Sequence, residues 1–223
     1  MSSLVRFLKH RGAYLLIALL ALGLLIPASS AGAAKERHTF DLVLANPKLL
    51  QCVAADPDDP RKVPTATVTV TRGDLNDELV LNTRHFKPGL QFDLFTVQRS
   101  NKLADGSADP NFTNFGLAWY QSDIHVDDDG NNHTRINTIL LDQIFGFDPD
   151  VSLKPLNTFH VGFWFNNPDD ARPCLGDATP VTPFNGEHNA GPLAFISKPL
   201  ADTGLGPLCV NPDFSKSPIA CNP

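Results

Sequence analysis

The stretch NFGLAWYQSDIHVDDDGNNHTRINTILL, Asn114 to Leu141, reads as two strands joined by a tight turn. Asp129-Gly130 is the turn signal, because a two-residue type I′ turn needs φ > 0 at both central positions and Asp-Gly tolerates that. β-Formers flank it: Trp119, Tyr120, Ile124 and Val126 before, Thr134, Ile136, Thr138 and Ile139 after. With that loop, Asp127 faces Asn132, Val126 faces His133 and His125 faces Thr134. Side chains alternate along a strand, so Asp123, His125 and Asp127 share one face. Ile124 and Val126 take the other, toward a core. A slip of one residue would invert the assignment.

Two carboxylates and an imidazole on one face can form a metal site, and they can equally form a solvated face beside an acidic turn. Calcium at Asp123, Asp127 and Asp129 is a third version. The Asp-Asp-Asp-Gly run does not fit an EF-hand. Aligning Gly130 with the glycine of that loop puts His125 where the first Asp belongs and Ile136 where the bidentate Glu belongs.

Working outward, the ends of the chain set its compartment. Residues 1–33 have the form of a secretory signal: a basic start (Arg6, Lys9, Arg11), an apolar run from Leu15 to Ile26, Pro27, and the small residues Ala31-Gly32-Ala33. The apolar run is short for a membrane span, and no second one follows. That segment holds three of the 18 basic residues and none of the 24 acids, so residues 34–223 carry a balance of −9. An acidic chain of this kind argues against nucleic acid and anionic membranes as partners. The four cysteines, Cys52, Cys174, Cys209 and Cys221, read as disulfides in an exported chain. Three pairings are open; a local Cys209–Cys221 loop would leave Cys52 with Cys174.

Between the ends the pattern is strand after strand. His38–Leu44, Thr65–Arg72, Glu78–His85, Gln91–Gln98, Leu156–Phe165 and Pro192–Ser197 are expected as strands. Leu156–Phe165 is the most apolar and is expected at the centre, with Phe159, Val161, Phe163 and Phe165 on one face and His160, Gly162 and Trp164 on the other. Asp142–Pro149 reads as an edge piece or lid. Asn166–Gly191 has almost no strand pattern, apart from a helix start at Asn167-Pro168. A stretch of that kind is usually functional or tied down, and Cys174 offers the tie. Within it Glu187 and His188 sit between glycines. The segment from about 198 to 223 is a Pro- and Gly-rich tail. The expectation is one all-β domain over 34–223, an antiparallel sandwich with long disulfide-tied loops.

Phe86-Lys87-Pro88 followed by Phe92 resembles the corner of immunoglobulin- and fibronectin-like sandwiches, with Phe in place of the corner Tyr. Gly116–Asp123 (GLAWYQSD), His160–Asn166 (HVGFWFN) and Pro183–Gly191 (PFNGEHNAG) resemble a group of exported bacterial immunoglobulin-like proteins with no assigned activity. The resemblance implies an extracellular β-sandwich and brings no catalytic residues with it.

Three functional classes follow. The first is a secreted binding or structural module meeting a cell-surface or other ligand through its loops; the chain has no Gly-x-Ser-x-Gly elbow, His-Glu-x-x-His helix, phosphate loop or dinucleotide fingerprint. The second is a zinc or copper site built from His125, His160 and His188 with Asp123 or Glu187. There Glu187 would be the general base on a metal-bound water. The third is carbohydrate binding, with Trp119, Tyr120 or Trp164 stacking on sugars; the same aromatics would serve equally as core.

Overall fold

Strand β1 (Arg37–Leu44) is followed by a short helical turn, α1 (Leu50–Val53), and then by β2 (Thr65–Thr71), β3 (Glu78–Arg84), β4 (Gln91–Val97), β5 (Ala118–His125) and β6 (Asn132–Ile136). β7 (Thr158–Phe165), a second helical turn α2 (Arg172–Leu175) and β8 (Leu193–Ser197) come next. Three two-residue strands close the chain: β9 (Leu208–Cys209), β10 (Pro212–Asp213) and β11 (Ala220–Cys221). This computed structural model describes residues 37–73, 76–137, 139, 158–182, 188–209, 212–213 and 220–221. The signal-like segment, Asp142–Pro149 and Glu187 lie outside them, as do the side chains of Cys209 and Cys221. No helix among the described residues is long and apolar enough to cross a membrane.

All main pairings are antiparallel, in the order β5-β4-β7-β8-β1-β2-β3-β6, with β9 added on β7. The order sets β7 beside β4, so that β3 and β4, and likewise β6 and β7, follow one another in the chain without being neighbours in the sheet, in the Greek-key manner. The two outer strands of this path, β5 and β6, are consecutive in sequence and meet at their shared loop, so the sheet curls nearly into a barrel. Its inside is one apolar core. Phe86, Phe92, Phe163 and Phe165 fill it, each 1 % exposed or less, and Phe195 stacks on Phe163 at 5.3 Å between ring centroids. β7 lies centrally between β4 and β8, with Phe159, Val161, Phe163 and Phe165 inward, as its pattern predicts.

The central hairpin differs from its expected form. β5 and β6 do not pair along their length: β5 pairs with β4, and β6 with β3. The loop is also one residue longer. Asp127 N–H donates to Asn131 O (2.8 Å) and Gly130 N–H to Asp127 O (3.0 Å), which leaves Asp128-Asp129-Gly130 as the loop. Only Gly130, at φ 77°, is left-handed. A type I turn followed by a left-handed glycine spares Asp129 the positive φ of a type I′ turn. Gly130 is also required by contact, since a Cβ there would stand 2.4 Å from Phe86 O. Ile124 and Val126 are buried as expected.

The long stretch after β7 is tied down. Asn167 caps a 3-10 turn at Pro168–Asp170 by accepting from Asp169 N (3.0 Å). Cys174 in α2 is bonded to Cys52 in α1, 122 positions away. The tail is also more ordered than a Pro/Gly-rich composition implies: β9 lies on β7, and β10 pairs with β11.

Candidate functional site

Two places on the outside of the β4–β7 region gather polar side chains. The first is built on β4. Asp93, Phe95 and Val97 point outward, yet Asp93 is 0 % exposed, because residues 188–191 fold across this face. Gly191 N–H holds that segment to Phe165 O at 2.6 Å. Asp93 Oδ2 accepts from His188 Nε2 at 2.9 Å, and Oδ1 accepts from Asn166 Nδ2 at 2.9 Å. Asp123 stands opposite Asp93 in the β4–β5 register and accepts the Tyr120 hydroxyl at 2.7 Å. The Asp93 carboxylate thus orients the His188 ring and clamps the covering segment to the sheet.

The second place is a cleft of about 560 Å³ beside the end of β4 and the start of β7. Its walls are residues 98–100 and 102–104 after β4, Asp109 and residues 111–114, Thr158 and His160 of β7, and residues 199–201 and 204–206. His160 is buried in the wall, with Nδ1 3.2 Å from Ser197 O. Burial pushes its pKa down to about 4, and the bond to the Ser197 carbonyl opposes this only in part. The imidazole is therefore neutral at pH 7. Ser100 Oγ donates to the same carbonyl at 2.8 Å. Lys102 is 5 % exposed, and desolvation lowers the pKa of its ammonium. Gly206 lets the tail press onto β7, where a Cβ would meet Phe159 O at 2.4 Å.

The residues singled out in the sequence do not converge. His160 lies opposite Val97, and Trp164 opposite Asp93, so His160 stands about 13 Å along the strand from the residues around His188. His125 is exposed at the end of β5, where its carbonyl accepts from Asn132 Nδ2. Asp127 Oδ1 accepts from Asp129 N (3.0 Å) and Asn131 N (2.8 Å), so this carboxylate shapes its own loop. Among the described residues no three metal-type side chains gather. Asp123 and His188 do come close, joined through Asp93, which the sequence reading passed over. The available signal was Phe95 and Val97 at outward positions of β4: apolar side chains there say that the face is covered. Two of the three aromatics offered for sugar stacking are packed, Trp119 3 % exposed against Phe159 and Trp164 7 % exposed against Phe95 and Phe115, while Tyr120 is half-buried beside Phe95.

Fold and site together define the class: an antiparallel all-β Greek-key domain with a disulfide-tied loop and a cleft at one edge of its central strands. Comparisons with protein-family models, curated proteins and solved structures return no match.

Proposed function

We propose that this chain is a ligand-binding module that works outside the cytoplasm, with the cleft beside β4 and β7 as its binding site. The cleft carries the reading. Its volume, about 560 Å³, falls within the range of small-molecule sites, and it combines buried polar groups with apolar walls at Phe112 and Leu205. The groove over β1–β3 is of similar size, about 620 Å³, but its polar side chains, Asp41, Thr67, Asn82 and Arg84, are exposed or half-buried, whereas the cleft is lined by the buried Lys102 and His160. Export is supported by the signal-like residues 1–33 and by the Cys52–Cys174 bond, which suits an oxidising compartment. For the finer shape we propose an immunoglobulin-like arrangement, supported by the Greek-key connections and by the corner in which Phe86 packs edge-on against Phe92 at 5.9 Å.

The test is amide chemical-shift mapping of the purified protein against a fragment library. Hits should move the amides of Ser100, Lys102, His160 and Leu205, and Ala201→Trp, which fills the cleft, should abolish them. Shifts confined to other surfaces would refute the cleft as the site.

A further inference from the structure

We infer that the cleft takes a small organic molecule bearing a carboxylate or phosphate group, held by Lys102 and Arg99; this rests on the cleft being the binding site proposed above. Lys102 is 5 % exposed, and neither it nor Arg99 forms an ion pair within 4.0 Å among the described residues. Most of the Lys102 side chain is covered, while its ammonium nitrogen is not among the fully buried unpartnered atoms and so stays accessible to a partner. The acid in the walls, Asp109, accepts from Asn111 N at 2.8 Å and does not reach Lys102 within ion-pair distance. His160 contributes no charge at neutral pH. The walls therefore hold two cations and one anion, in a chain whose overall charge is −6. That local reversal favours an anion. An incoming carboxylate or phosphate would supply the missing countercharge and favour the charged ammonium that burial disfavours. The Arg99 guanidinium adds a planar fork suited to two oxygens of such a group. Phe112 offers an apolar surface for the rest of the molecule.

The experiment uses two matched pairs of probes, glucuronate against glucose and glycerol 3-phosphate against glycerol, titrated into the isotope-labelled protein. The acidic member of at least one pair should bind about tenfold or more tighter than its neutral partner, with shifts at Ser100, Lys102 and His160. Lys102→Met should remove that preference while leaving the amide spectrum away from the cleft unchanged. Arg99→Gln, at a half-buried position, should reduce it and serves if the lysine variant does not fold. Equal binding of acidic and neutral probes in the cleft would overturn the anion inference and leave the cleft standing. A preference that survives both substitutions would overturn the role of these two residues. No cleft shift with any of the four probes would overturn both the inference and the binding-site reading.

Discussion

His160 shows how one side chain can report on the packing around it. Its pKa lies near 4 in the folded chain, against 6.5 as the ordinary value. As pH falls between those values the unfolded chain takes up a proton that the folded chain refuses. Stability conferred by the neutral, buried ring is complete above 6.5 and is lost as pH falls toward 4. The full loss is about 3 kcal/mol. Urea midpoints at pH 7 and pH 4 should show this fall, and His160→Gln should flatten it by most of that amount. Gly130 makes a different demand. Gly130→Ala meets both the positive φ and the Phe86 carbonyl, and it strains the 2.9 Å bond from Phe86 N to Gly130 O. The expected loss is about 2 kcal/mol or more in a denaturant titration. Asp-Gly was legible as a turn in the sequence. Its length was not, because the choice between two and three loop residues depends on where β5 and β6 find partners.

At the scale of elements, β4 decides what the outer face becomes. Its outward row sets Asp93 beside the apolar Phe95 and Val97, and the covering segment turns the Asp93 position into a buried one. A double-mutant cycle of Asp93→Asn and His188→Ala should give a coupling of about 1–3 kcal/mol, since the pair shares one hydrogen bond at a fully buried carboxylate. A coupling near zero would mean that the clamp contributes nothing. The helical turns α1 and α2 are too short to persist alone. The bond between Cys52 and Cys174 closes a loop of 122 positions. Replacing both cysteines by Ala should lower stability by about 5 kcal/mol on the chain-entropy account, read as a shift in the urea midpoint without reducing agent.

For the molecule as a whole, the interior of the curled sheet is where stability concentrates. Phe163 is 0 % exposed and touches Phe86, Phe92 and Phe195. Phe163→Ala should cost about 3–5 kcal/mol, checked by thermal or urea unfolding. The strand pattern, the identity of the central strand and the inward face of β7 could be read from local hydrophobicity, since that pattern has a period of two; in β5 an irregular register brings both Trp119 and Ile124 inward, which alternation does not give. What the chain by itself determined is therefore an antiparallel all-β unit with β7 at its core, and residue types suited to export. Only the tertiary structure decided that β5 and β6 part to pair with β4 and β3, that Asp93 is covered and meets His188, that the histidines lie apart, and that Lys102 ends up in the wall of a cleft. Each of these rests on which segments distant in sequence come to lie side by side, and burial of a charge is a property of that neighbourhood and not of the residue.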